Sequence, residues 1–147
     1  DNPKWIGRFN ERPVAEIWEL YWKAYEQCIR SALFDFVAHP DLVKKFGHRP
    51  PGDLRKYYEP SIAAAAEKNV AIEINTAGLR KPVGEMYPSL EFLQMARAAG
   101  IPLLINSDAH APGEVGANFA EASALAREAG YAETLRFNKR KRTAVPL

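Results

Sequence analysis

Short apolar segments alternate with helix-forming segments along most of this chain, and that alternation limits the folds it can adopt. Three apolar stretches have the length and composition of buried strands, at residues 34–38, 70–75 and 101–106. Longer amphipathic or alanine-rich stretches separate them and predict helices. Parallel strands need such crossover helices, so the pattern predicts an α/β fold built from parallel βαβ units. No glycine-rich phosphate loop follows any strand, which disfavours a dinucleotide-binding domain.

Proline, serine and glycine mark the predicted ends of the helices. These helices are expected over residues 13–33, 52–68 and 90–99, and within 113–129. Pro60 should break or kink the second helix. Ser89 is the predicted N-cap of the third helix, which Gly100 ends. A last short strand is predicted at 134–137, with 143–147 as an extended tail.

Composition indicates a folded domain in a reducing compartment. The chain has 147 residues, of which 47% are hydrophobic, enough for one domain with a core and unlike a disordered or collagen-like protein. The single cysteine, Cys28, cannot form an internal disulfide and falls on the apolar stripe of the first helix. No apolar run approaches the roughly 18 residues of a membrane span, and no signal peptide opens the sequence. We therefore expect a cytoplasmic protein without a membrane partner.

Four consecutive basic residues lie near the end of the chain, at 139–142. Such a run can contact nucleic acid. No other basic stripe or aromatic stacking motif accompanies it, so a solvated tail after the last strand is the preferred interpretation. No nucleic-acid partner is expected.

Polar side chains follow each predicted strand, at the point where ligands gather in parallel α/β folds. They are His39 and Asp41 after the first strand, Glu73 and Asn75 on the second, and Asn106, Asp108 and His110 after the third. Imidazole and carboxylate groups are suitable ligands for zinc, manganese or iron. An isolated Asp-x-His is common in surface sequence, but this placement at successive strand ends favours a metal site. Two interpretations of Glu73 and Asn75 stay open, a buried polar pair or support for the metal ligands.

Positive charges lie near the same strand ends and indicate a phosphate substrate. Lys44 and Lys45 follow the first polar group, and Arg80 and Lys81 follow the second strand. Arginine binds phosphate through two parallel hydrogen bonds, and metal ions with cationic loops suit phosphate ester hydrolysis. For any single lysine, a solvated loop is the alternative interpretation.

These motifs resemble those of the PHP (polymerase and histidinol phosphatase) superfamily. Residues 38–41 (Ala-His-Pro-Asp) resemble its third metal motif, and residues 107–110 (Ser-Asp-Ala-His) resemble its final metal motif. Residues 78–81 (Gly-Leu-Arg-Lys) and 87–89 (Tyr-Pro-Ser) look like the histidinol-phosphatase branch and are the most specific part of the resemblance. The resemblance covers nearly the whole chain.

The resemblance implies a distorted (β/α)7 barrel that binds up to three divalent metal ions, commonly zinc, iron or manganese. The implied substrate is a small phosphate monoester, L-histidinol phosphate, which is hydrolysed to L-histidinol and phosphate in histidine biosynthesis. His39, Asp108 and His110 match metal ligands by position, and the last two are expected at the catalytic centre. Arg80 matches a cation that holds the substrate phosphate, and Lys45 is a weaker candidate for that role.

One departure from the family pattern changes the expectation for the chain alone. The family's His-x-His motif, a further histidine pair and a bridging glutamate are absent from the sequence, which begins at Asp1 rather than at methionine. We therefore expect residues 1–147 to be the C-terminal portion of one barrel domain, inactive without the N-terminal half or a complementing chain. The alternatives are a non-catalytic fragment or interaction module, and another PHP phosphoesterase, including the polymerase-associated proofreading type.

Overall fold

A computed structural model describes residues 7, 9 and 11–147, so Asp1 lies outside the described residues. This part of the chain is an α/β structure with helices between its first strands. The elements are α1 Val14–Arg30, β1 Phe36–Val37, α2 Arg55–Lys68, β2 Ala71–Asn75, α3 Leu90–Ala98, β3 Leu103–Asn106, α4 Phe119–Glu128, β4 Glu133–Asn138 and β5 Lys141–Pro146. No helix within these described residues is long and apolar enough to cross a membrane.

The first three strands form a parallel sheet in the order β1-β2-β3. Val37 pairs with Ile72, and Asn75 at the end of β2 pairs with Asn106 at the end of β3. Every residue of β2 is buried, as expected for a central parallel strand. The carboxyl ends of all three strands therefore meet at one edge, and the predicted α/β class is confirmed.

Aromatic side chains form the part of the core that joins the first three helices. The ring centroid of Trp22 in α1 lies 5.0 Å from that of Tyr58 in α2 and 5.6 Å from that of Phe92 in α3. All three side chains are buried. Aromatic pairs at these separations stabilise a core beyond the area they bury. Cys28 is half-buried and packs against this core, in agreement with the prediction from its position in α1.

The local signals placed most helix ends correctly, and Pro60 is the exception. The Ser89 hydroxyl accepts a hydrogen bond from the Phe92 amide at the start of α3, and Gly100 follows α3 with a φ of 73°. Of the two effects predicted for Pro60, a break in α2 is wrong, because the helix continues through it. A proline removes one backbone hydrogen bond, whereas α2 buries side chains before and after Pro60, including Tyr58 and Ile62.

The predicted last strand is confirmed, whereas the predicted tail is a further strand. β4 covers the strand expected at 134–137 and pairs with β5 in an antiparallel two-stranded sheet, so the prediction of an extended tail over 143–147 is wrong. Lys139 and Arg140 form the turn, each with positive φ. The basic run is therefore a hairpin turn and the start of β5. Arg140 Nε lies 2.9 Å from Asp35 Oδ2, and Arg142 Nη1 donates to the Asn69 carbonyl over 3.1 Å.

A buried ion pair fixes the loop that follows β1. The side chains of Asp41 and Lys44 are 0% and 1% exposed, and Lys44 Nζ lies 3.0 Å from Asp41 Oδ2. The same carboxylate oxygen accepts a hydrogen bond from the Ser89 amide over 2.9 Å, and Lys44 Nζ lies 3.2 Å from Glu85 Oε2. Burial raises the pKa of Asp41 to about 6, although the Lys44 charge acts in the opposite direction. The pair joins the loop after β1 to the start of α3.

Replacing Lys44 with methionine should lower the free energy of unfolding by about 3–5 kcal/mol, because it leaves the buried Asp41 charge without its partner. Urea denaturation measures this change. The exposed Lys23 provides the control, and Lys23→Met should change stability by less than about 0.5 kcal/mol. The double variant Asp41→Asn with Lys44→Met should recover part of the loss. Equal stability of the Lys44 and Lys23 variants would contradict this role.

Candidate active site

An open cleft of about 500 Å³ lies at the carboxyl ends of the parallel strands. Its lining comes from the end of each strand and from the segment that leads into α4. The lining residues are Ala38, His39, Glu73, Asn75, Asn106, Ser107, Asp108, Val115, Gly116 and Phe119. This volume is within the usual range for small-molecule sites, and the position is where open α/β sheets bind ligands.

The buried carboxylate of Glu73 joins the ends of all three strands. Its Oε2 accepts hydrogen bonds from the His39 amide over 2.8 Å and from Asn75 Nδ2 over 3.0 Å. Its Oε1 accepts from Asn106 Nδ2 over 2.6 Å. Glu73 and Asn75 are thus a buried polar pair, as one of the two interpretations predicted. Glu73 also accepts the backbone amide of His39, a predicted metal ligand.

His39 is held by its backbone and leaves one ring nitrogen unsatisfied. Its φ is 34°, in the left-handed region. The hydroxyl of Tyr21 donates to the His39 carbonyl and that of Tyr25 to the Ala38 carbonyl, each over 3.2 Å. Burial raises the pKa of both phenols, so both remain donors. Within the described part of the chain, His39 Nδ1 is buried without a hydrogen-bond partner, an arrangement that costs about 1–3 kcal/mol unless a ligand satisfies it.

Asp108 and His110 follow β3, but only Asp108 is among the residues that line the cleft. Asp108 has a φ of 49° and lines the cleft with His39. The side chain of His110 is 63% exposed and is not part of the cleft lining. Its Nδ1 lies 2.9 Å from the Asp108 carbonyl oxygen and 3.8 Å from Asp108 Oδ1. The structure therefore brings Asp108, but not His110, into the cleft beside His39.

Arg80 and Lys45, the two predicted phosphate-binding cations, are also absent from the cleft lining. Arg80 Nη2 donates to the Ser107 carbonyl over 2.8 Å and lies 3.3 Å from Glu114 Oε2, so it braces the loop after β3. Lys45 is largely buried, and its Nζ lies 5.5 Å from the centroid of the Phe46 ring. Burial lowers the pKa of Lys45, as does the Lys81 charge, whereas the Asp108 charge raises it.

Comparison with known proteins gives a consistent answer over most of the chain. It is 40% identical over 141 residues to a probable histidinol-phosphatase of Deinococcus radiodurans, covering 96% of this chain and 53% of that protein. It is 30% identical over 112 residues to the histidinol-phosphatase of Bacillus subtilis, covering 70% of this chain and 42% of that protein. The resemblance to histidinol-phosphatases is confirmed. The chain spans about half the length of these curated relatives.

A solved structure supports the fold independently of the sequence similarity. It is that of a Listeria monocytogenes protein assigned as a histidinol phosphatase, and it superposes on this chain with a TM-score of 0.58. The superposition covers 71% of this chain and 44% of that protein at 24% sequence identity, so it bears on the fold alone. No protein-family profile matches the chain.

Gly78 shows why the motif most specific to the histidinol-phosphatase resemblance needs a glycine. It lies in the 3₁₀ turn Thr76–Arg80, directly after β2. A Cβ atom at this position would overlap the Glu85 carbonyl and would lie 3.0 Å from Cζ of Tyr87. Tyr87 and Asn75 exchange backbone hydrogen bonds of 2.7 and 3.0 Å, which hold the two segments together. Because Gly78 has no side chain, the turn that carries Arg80 can pack against the segment that pairs with Asn75 through Tyr87.

The segment 115–119 is the part of the cleft that sequence reasoning missed. Val115, Gly116 and Phe119 contribute to the lining, but no strand end or polar motif marks them in the sequence. The serine in the recognised Ser-Asp-Ala-His motif was the available signal, since Ser107 Oγ accepts the Gly116 amide over 3.1 Å. That contact fixes the segment beside the cleft.

The described residues supply metal donors but not a preassembled set. No group of three or more histidine, cysteine, aspartate or glutamate side chains within them is arranged to hold a metal ion. His39 and Asp108 share the cleft lining, and His110 is not among the lining residues.

Gly78→Ala should destabilise the protein by about 3 kcal/mol, the upper end for an overpacked site, because backbone rather than a flexible side chain opposes the new methyl group. Gly113→Ala is the matched control, since a Cβ there meets nothing within 4 Å. Thermal and urea unfolding measure both variants. Similar losses in the two would contradict the proposed close packing.

Glu73→Gln should lower the free energy of unfolding by about 2–3 kcal/mol, because an amide cannot accept all three hydrogen bonds that the carboxylate accepts. The His39 amide resonance in ¹H–¹⁵N spectra should move at the same time, which reports on the contact directly. Glu133→Gln, on the exposed side of β4, is the control. An unmoved His39 amide would show that Glu73 does not position this loop.

Proposed function

We propose that this chain forms part of the active site of a metal-dependent phosphoesterase that hydrolyses L-histidinol phosphate to L-histidinol and phosphate, in the cytoplasm and for histidine biosynthesis. The observation that carries the proposal is the buried, unpartnered Nδ1 of His39, a residue that lines the same cleft as Asp108. The similarity to curated histidinol-phosphatases supports the choice of substrate. In the proposal, residues 1–147 are the C-terminal portion of a (β/α)7 barrel.

The donors in the cleft fit the chemistry of zinc, iron or manganese. An imidazole nitrogen and a carboxylate are ligands that all three ions accept. His110 is the third proposed ligand, through Nε2, since its Nδ1 contacts the Asp108 carbonyl. Such ions supply Lewis acidity for attack on the phosphoryl group. The N-terminal half of the barrel, or a complementing chain, would provide the remaining donors for up to three ions.

Arg80 and Lys45 are the proposed phosphate-binding residues. Nη2 of Arg80 is engaged by Ser107 and Glu114, whereas its Nη1 is buried and has no partner among the residues that the structure describes. That donor suits a phosphoryl oxygen, because guanidinium groups bind phosphate through paired N–H groups. Lys45 lies near enough to Asp108 for their charges to interact, which suits a role in neutralising charge at the same centre.

A non-catalytic PHP fragment or interaction module is the second candidate. The observation in its favour is that the cleft lining includes His39 and Asp108 but not His110, Arg80 or Lys45. This candidate predicts no turnover even when the other half of a barrel is supplied. A third candidate, another PHP phosphoesterase, predicts hydrolysis of other phosphate esters in preference to histidinol phosphate.

The deciding experiment measures phosphate release from L-histidinol phosphate, with zinc or manganese present, by the chain alone and after mixing with the N-terminal half of the Deinococcus radiodurans relative. We expect release only from the mixture. Turnover by the chain alone would refute the requirement for complementation. No turnover from a mixture that forms a stable complex would favour the non-catalytic fragment.

Asp108→Asn should lower the metal affinity of the complemented protein at least about tenfold and abolish most turnover, because it removes a charged ligand. Elemental analysis after dialysis measures the bound metal. Asp53→Asn is the control, since Asp53 is exposed and pairs with Arg55 over 2.6 Å instead. Full metal content in the Asp108 variant would exclude this residue as a ligand.

A further inference from the structure

Two apolar side chains face the cleft from the segment between β3 and α4. Val115 is 76% exposed and Phe119 is 41% exposed, and both line the cleft together with His39 and Asp108. The metal and phosphate chemistry proposed above uses neither side chain. Small-molecule sites characteristically combine a few polar groups that fix orientation with an apolar surface that contacts the rest of the ligand.

This segment is held in place beside the cleft at several points. The Gly116 amide donates to Ser107 Oγ over 3.1 Å, and the Thr76 hydroxyl donates to the Ala117 carbonyl over 2.7 Å. Glu114 Oε2 accepts the His110 amide over 2.8 Å, a hydrogen bond that lowers the pKa of Glu114. The positions of Val115 and Phe119 relative to Asp108 are therefore set by hydrogen bonds to the ends of β2 and β3.

We propose that Val115 and Phe119 form the subsite for the alcohol part of the phosphate monoester, and that they select an alcohol that carries a planar ring. The proposal rests on the proposed function, because the phosphate end of the substrate is placed at His39 and Asp108. The alcohol must then occupy the remaining lining, where Phe119 provides an aromatic surface. Contact between aromatic rings contributes binding energy beyond the burial of apolar area, which gives the site a physical basis for selection.

The test compares a phosphate ester that carries a planar ring with one that has no ring. L-Histidinol phosphate carries an imidazole, a primary ammonium and a phosphate, whereas O-phosphoethanolamine keeps the ammonium and the phosphate and lacks the ring. Isothermal titration calorimetry with zinc present gives the dissociation constant of each ester for this chain. We expect the wild-type chain to bind histidinol phosphate about tenfold more tightly than phosphoethanolamine.

Variants of Phe119 assign the selection to its ring. Phe119→Ala should reduce the ratio of the two dissociation constants to nearly one, and Phe119→Trp should preserve the ratio. Phe34→Ala is the matched control, because Phe34 is 53% exposed and lies outside the cleft lining. That variant should leave the ratio unchanged.

Three results would overturn the subsite. They are the absence of binding of either ester to the wild-type chain, equal binding of both esters, and a Phe119→Ala variant that weakens both equally while lowering the melting temperature. The last result would show that Phe119 packs against another segment of protein. Hydrolysis without ring selection would remove the subsite and leave the proposed function standing. Ring-selective binding together with no hydrolysis by the complemented protein would count against the proposed function and leave the subsite standing.

Discussion

The buried carboxylate of Glu73 is the constraint on which both the sheet and the cleft depend. A carboxylate that is 4% exposed must be hydrogen-bonded, because an unpaired buried charge is far more costly than a buried neutral group. Its donors come from the end of β1, from β2 itself and from the end of β3. All three strand ends must therefore be in place together, so the register of the sheet and the shape of the cleft are set by the same charge.

This network also explains how a strained loop persists beside the cleft. His39 and Asp108 both have positive φ values, which cost roughly 1–3 kcal/mol each for residues other than glycine. Hydrogen bonds from Tyr21 and to Glu73 hold the His39 backbone, while its Nδ1 remains without a partner in the described structure. The surrounding protein thus stabilises the backbone of His39 and leaves its Nδ1 unpaired among the described residues. Under the proposed function, this strain belongs to a loop that positions a metal ligand.

Sequence reasoning reached the elements that local signals determine and missed those that depend on distant contacts. The parallel sheet, the Ser89 cap and the strand-end positions of His39 and Asp108 follow from periodicity and capping. The hairpin was missed because Lys139 and Arg140 lack the asparagine or glycine usual at positive φ, and the stabilising contact of Arg140 is with Asp35, far away in sequence. Pro60 was misjudged because the packing of α2 outweighs one lost hydrogen bond.

Local signals and distant contacts also account for which predicted site residues line the cleft. His39 and Asp108 line it, whereas His110, Arg80 and Lys45 do not. The direction of a side chain at the end of a strand depends on which partners surround it, and spacing alone does not reveal them. Glu114 accepts hydrogen bonds from Arg80 and from the His110 amide, which accounts for the arginine bracing a loop instead of lining the cleft. In the proposed enzyme, a phosphoryl group would compete with Glu114 for Arg80. Under that proposal, the other part of the barrel contributes the remaining metal ligands, and the substrate phosphate draws Arg80 toward the cleft. The strand ends need no such help, because Glu73 already orders them.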